Sequence, residues 1–211
     1  MVTYAFLCNP ELVNAPYREI ADRAGVAVGT VAWVIKGLKA ADFIREKGRK
    51  QGRRLVHYRK LFDRWVETYP EKLKPKYQLG QFMAADPCWW QGIDIQNYAG
   101  YWGGEIAAAE YTDYLKPVVA TVYLPENTRT RLLKDARLRK VADRNGHEPG
   151  TVFLYQLFWP HTLNEIDTLR GEGLVHPVLV YADLVATGDT RNLEVARRLY
   201  EQHIAQYCRE D

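Results

Sequence analysis

The stretch Pro16-Tyr-Arg-Glu-Ile-Ala-Asp-Arg-Ala-Gly-Val-Ala-Val-Gly-Thr-Val-Ala-Trp-Val-Ile-Lys-Gly-Leu-Lys-Ala-Ala-Asp-Phe-Ile44 carries the pattern of two helices joined by a sharp turn and running into a strand. Ile20, Ala21 and Ala24 give the first helix an apolar face. Gly25 permits the left-handed backbone that the turn requires, with Val26 packing inside it. Val31, Val34, Ile35 and Leu38 then recur at helical spacing and are expected to face a core. That assignment leaves Val28, Gly29, Thr30, Ala32, Trp33 and Lys36 outward, where a helix in a DNA groove would read bases.

The next residues extend the reading. Phe43-Ile44 is strand-like, Arg45 to Arg54 holds two glycines and six basic residues, and Leu55-Val-His57 is a candidate return strand. The expectation is a winged helix-turn-helix over residues 1–75. Lys47, Arg49, Lys50, Arg53 and Arg54 would line the phosphates, since each neutralised phosphate releases condensed counterions. Thr30, Trp33 and Lys36 would face base edges. A charge run is commonly just a solvated face, but here motif and basic hairpin coincide. Residues 1–80 hold 16 Lys and Arg against 8 Asp and Glu, and residues 81–211 hold 13 against 18, so a basic N-terminal module adjoins an acidic C-terminal part.

At 211 residues and 47% apolar content the chain can bury two small cores. No apolar run reaches membrane-spanning length and the first residues lack a basic leader, so a cytoplasmic protein without a membrane partner is expected. Cys8, Cys88 and Cys208 are odd in number and widely spaced, which speaks against a disulfide framework or a thiolate metal cluster.

Beyond the hairpin, Tyr58 to Tyr69 reads as a helix with Leu61, Phe62, Trp65, Val66 and Tyr69 on one face. Pro70 to Pro75 reads as a linker, since proline interrupts helices, and places a boundary near Lys76. Residues 76–211 are expected to form a mixed α/β domain, giving an α+β protein overall. Its predicted elements are a helix from Glu105 to Leu115, a strand from Val118 to Leu124, a basic helix from Thr128 to Ala142 and a strand from Thr151 to Trp159. Closing helices span Pro177 to Thr187 and Arg191 to Tyr207, separated by a C-cap Gly188 and an N-cap Asp189.

Asn9-Pro-Glu-Leu-Val-Asn-Ala-Pro-Tyr-Arg-Glu-Ile-Ala21, Gly29-Thr-Val, Tyr101-Trp-Gly-Gly-Glu-Ile-Ala107 and Leu179-Val-Tyr-Ala-Asp-Leu-Val-Ala-Thr-Gly-Asp-Thr-Arg191 together resemble the AbiEi-type antitoxins and transcriptional regulators of type IV toxin–antitoxin systems. The resemblance implies a winged-helix domain that represses its own operon by binding double-stranded operator DNA. It also implies a C-terminal domain that counters a nucleotidyltransferase toxin without a stable complex, and it implies no enzyme activity. It transfers no role belonging to the further sequence that many members carry ahead of this module.

The residues agree with a non-enzyme. The chain has no serine, no Gly-Lys pair, no Glu-x-Lys, and five histidines without His-x-x-x-His spacing, so the usual hydrolase, P-loop, nuclease and helical zinc patterns are missing. No cofactor is expected. The alternative is a metal-dependent nucleic-acid-processing enzyme that docks substrate with the winged helix and holds metal through Glu105 and other carboxylates. Glu105 is explained more simply as an acid at a helix start, Asp183 as half of an ion pair with Arg191 or Arg197, and Asp189 as the cap. Trp89, Trp90, Tyr98, Tyr101 and Trp102 could stack bases or pack a core. The basic helix Arg129 to Lys140 is a second candidate nucleic-acid contact. The third reading, a protein-interaction module, rests on Ala27 replacing a polar cap and on Trp33 pointing outward. No dimerisation heptad is visible, so the oligomeric state stays open.

Overall fold

The computed structural model describes residues 1–46, 48, 52–141, 151–160 and 173–208. Mixed helix and sheet is observed, as the α+β expectation requires. Helix α1 (Val2–Cys8) has Val2, Tyr4, Ala5, Phe6, Leu7 and Cys8 buried, so it is wrapped by protein on almost every side. A 3-10 turn, Pro10–Asn14, leads into α2 (Tyr17–Ala24) and α3 (Val28–Ala40). Gly25 ends α2 at φ 62°, and the N–H of Val26 bonds Ala21. Strands β1 (Ile44–Glu46) and β2 (Arg53–Leu55) form an antiparallel hairpin with Arg45 opposite Arg54. The return strand therefore starts earlier than expected, and His57 adopts φ 54° to turn the chain into α4 (Tyr58–Thr68).

The expected linker is helical instead. A π turn, Tyr69–Leu73, and a 3-10 turn, Lys74–Tyr77, continue directly from α4. Pro70 sits in the first turn of the new segment, where its missing N–H is no loss, and the Lys74 N–H reaches back to Tyr69.

A five-stranded sheet follows, in the order β4-β5-β7-β3-β6. Its strands are β3 (Gln78–Met83), β4 (Tyr101–Gly103), β5 (Ala120–Leu124), β6 (Arg139–Lys140) and β7 (Thr151–Gln156). Only β5 and β7 run parallel. Between them lie α5 (Gly104–Thr112) and α6 (Glu126–Asp135), and α7 (Pro177–Val185) and α8 (Thr190–Leu199) close the fold. The predicted basic helix is shorter than expected. It ends at Asp135, Arg137 takes φ 51°, and Arg139–Lys140 pairs with β3 as an exposed, charged edge.

Period-two alternation along the strands separates two cores. Phe82, Val122, Leu124, Val152 and Leu154 face one way, against Leu132 of α6 and the aromatics Trp89, Tyr98 and Trp102. Tyr123 and Tyr155 face the other way, into a cluster that runs without a break from α1, α2 and α4 to α7 and α8. Phe158 and Trp159 reach from the end of β7 into this cluster, with Tyr4 ring centroids 5.6 and 6.1 Å away. Pro160 lies under the Gly25 turn.

A buried polar network sits where these parts meet. Asp183 of α7 is 2% exposed and accepts from Tyr69 Oη at 2.9 Å, Tyr123 Oη at 2.8 Å and Lys74 Nζ at 2.8 Å. Its expected partners Arg191 and Arg197 are engaged elsewhere, Arg191 with Glu105 at 2.9 Å and Arg197 with Glu194. Burial lowers the Lys74 pKa, but the Asp183 charge beside it leaves the net shift upward.

Two outcomes follow from this packing. Lys74→Ala should lower unfolding stability by about 3–5 kcal/mol in urea titrations, because it strands a buried carboxylate. Burial raises the pKa of Tyr4, Tyr58, Tyr69 and Tyr123 well above 10. Their contribution to stability is complete below the unfolded tyrosine pKa of about 10 and declines as pH rises through the folded values. Tyrosinate absorbance should therefore show these four ionising together with unfolding, not before it.

Candidate nucleic-acid interface

Helix α3 buries Val31 and Ile35 and half-buries Val34 and Leu38, so its opposite face is set by elimination. Val28, Gly29, Thr30, Ala32, Trp33 and Lys36 are all exposed, as the sequence pattern predicts. Trp33 is 76% exposed, far more than a large aromatic ordinarily retains. Strand β1 packs beside this helix, and Lys39 of α3 hydrogen-bonds Glu46 of β1.

The hairpin is also fixed from its other side. The Arg53 N–H donates to Asn14 Oδ1 at 2.6 Å, and the Arg53 guanidinium donates to the Ala15 carbonyl at 2.6 Å. That guanidinium also lies 4.7 Å from the centre of the Tyr17 ring. Gly52, at φ 79°, passes so close to Asn14 that a Cβ would collide with its Oδ1. The latch ties β2 to the turn that opens α2, so helix and hairpin share one frame.

Local ion pairs decide which charges face outward unbalanced. Hydrogen bonds from Arg45, at 2.6 and 2.8 Å, hold the Asp42 carboxyl down to about 2, with the charges of Arg45 and His57 adding to the effect. The Lys39 hydrogen bond and charge lower the Glu46 pKa as well. Arg45 and Lys39 thus stand against ionised partners. Lys36 and Arg54 are exposed on α3 and β2, whereas Arg53 is half-buried in its latch. Lys47, Arg49 and Lys50 lie outside the described residues. Asn14 and Tyr17 were not legible as contributors, because their role is to position the hairpin through contacts about 40 residues apart in sequence.

Other sequence candidates have structural explanations. Glu105 is 5% exposed, and its Oε2 accepts from the N–H groups of Val118 and Val119 at 2.7 and 3.2 Å. Its Oε1 accepts from Arg191 and from Asn192 Nδ2 at 2.9 and 3.0 Å, so the carboxylate joins α5 to α8. Asp189 caps α8 by accepting from the N–H groups of Arg191 and Asn192. Trp89, Tyr98 and Trp102 belong to the second core, and Trp89 packs edge-on to Trp102 at 5.7 Å. Among the described residues no group of three or more His, Cys, Asp or Glu could hold a metal, and no helix is long and apolar enough to cross a membrane.

Comparison with known families adds one finding. The family described as transcriptional regulator, AbiEi antitoxin, of type IV toxin–antitoxin systems matches residues 54–205. The chain belongs to the AbiEi antitoxin family. This membership makes the protein one of a family of transcriptional regulators and antitoxins. No curated protein and no solved structure matched. The AbiEi match begins at Arg54, within β2, so it covers the sheet and the closing helices but neither α2 nor α3. The outward face of α3 therefore rests on its own geometry.

The latch makes a measurable claim. Asn14→Ala and Arg53→Ala should each destabilise the hairpin by about 1 kcal/mol, from a lost hydrogen bond or a lost cation–π contact. Limited trypsin digestion should then cut the basic hairpin faster while far-ultraviolet circular dichroism stays unchanged.

Proposed function

We propose that residues 1–75 act as a winged helix-turn-helix that binds double-stranded operator DNA and represses the protein's own operon. In this reading residues 76–211 carry the antitoxin activity, countering a nucleotidyltransferase toxin without a stable complex. The carrying observation is the exposed face of α3, with Lys36 and Trp33, held in one frame with a basic hairpin bearing Arg54. Membership of a regulator and antitoxin family supports the assignment. A cytoplasmic setting and a non-catalytic mode of action belong to the same reading. The division of labour is one of surfaces, since the hydrophobic cluster crosses the boundary at residue 75.

Helix and hairpin divide the DNA contacts. Phosphates carry the same charge in every sequence, so Arg54, together with Lys47, Arg49 and Lys50, supplies affinity without base preference. Arg53 contributes chiefly by holding the strand in place. Thr30, Trp33 and Lys36 face base edges and supply discrimination.

Binding of the full-length protein to its promoter fragment and to scrambled DNA, across a salt series, tests the scheme. Arg54→Ala should weaken both duplexes alike and reduce the log–log salt slope by about one. Lys36→Ala should cost about 1–3 kcal/mol of discrimination with little change in slope. The double variant should lose repression in cells yet still rescue growth when co-expressed with the toxin. Loss of rescue together with repression would merge the two activities into one surface.

A further inference from the structure

We infer that the helical part of this interface is addressed to thymine methyl groups, so that the DNA recognised is thymine-rich where α3 enters the major groove. The inference rests on the DNA-binding reading above and adds the base chemistry. Across Val28–Ala40 there is no Arg, Asn, Gln, Asp or Glu. Those are the side chains that make bidentate contacts to guanine or adenine, or accept from the cytosine amino group. Lys39 is bonded to Glu46, which leaves Thr30 and Lys36 as the polar groups on the outward face.

The rest of that face is apolar. Trp33 is 76% exposed and Val28 42% exposed, with Ala32 and the Thr30 methyl beside them. In the major groove the one apolar group a base pair presents is the C5 methyl of thymine, and Ala and Thr methyl groups are its usual contacts. Covering Trp33 and Val28 with such methyls removes apolar surface from water on both partners. Gly29 and Gly37 lie one turn to either side of Trp33, and a Cβ on either would meet nothing within 4 Å. Internal packing does not require glycine there, and its absence of side chain lets a duplex approach the indole closely. The occupant is DNA and not an apolar protein surface because Lys36 stands within this face and no acid on α3 balances it, and because the adjoining hairpin is basic.

The test uses the full-length protein and a randomised duplex library. Binding to bulk duplex is measured first, then enriched sequences are read. The consensus duplex is next prepared with deoxyuridine in place of thymidine, which removes only the methyl. Each contacted thymine should be worth about fourfold in affinity, the value of one buried methyl-sized group. Trp33→Ala should bind more weakly and lose part of its sensitivity to the replacement, while Trp33→Leu, which keeps an apolar side chain, should retain it. Equal affinity for the thymine and uracil duplexes would overturn the inference, as would an enriched motif lacking thymine. Duplex binding without any enrichment would also overturn it while leaving non-specific DNA binding intact. Failure to bind any duplex would overturn the DNA reading itself. Unchanged DNA binding by Trp33→Ala would assign the exposed indole to a protein partner.

Discussion

One carboxylate ties the molecule together. Asp183 is buried on α7, and an isolated ion there would be prohibitively expensive, so its three partners must arrive with it. They come from separate places: Tyr69 and Lys74 from the turns after α4, and Tyr123 from the centre of the sheet. The requirement to satisfy a single charge thus fixes the helical bundle against the sheet. Tyr155 supports it, with Lys74 Nζ 5.2 Å from its ring centre.

The hydrophobic arrangement is consistent with that constraint. The two faces of β5 and β7 serve different cores, and the core on the Tyr123 side is shared with α1, α2 and α4. Segments that the charge split separates, basic before residue 80 and acidic after it, are therefore continuous inside. The asymmetry of charge describes the surface and says little about where one packed unit stops.

Local pattern made α2, α3, α4 and the hairpin legible, because their apolar residues recur on one side and glycine marks the turn. Helix α1 offered no such contrast, being buried nearly all round. The segment from Pro70 to Pro75 misled because proline at the start of a helical turn looks, in sequence, like proline that ends one. The predicted helix through Lys140 ran too far because Arg139 and Lys140 extend the basic pattern, whereas pairing with Phe82 and Met83 is a tertiary contact. The outward residues of α3 were readable for the same reason as its core. The inward turn of Arg53 was not, since it depends on Asn14, Ala15 and Tyr17 meeting β2 across the fold. Asp183 was recognised as needing a cation, but Lys74 stood in what read as a linker.

The insertion of Phe158, Trp159 and Pro160 beneath the helical bundle bears on how such a protein can change. In a chain built from separable modules, a new reading head can be acquired whole by recombination. Here an exchanged head would have to match the aromatic wedge, the turn above Pro160 and the partners of Asp183 at once. Variation is channelled instead to the outer face of α3 and the hairpin, where substitutions leave the interior undisturbed. Divergence in recognition is then expected to proceed by point changes on a conserved chassis, not by shuffling of domains.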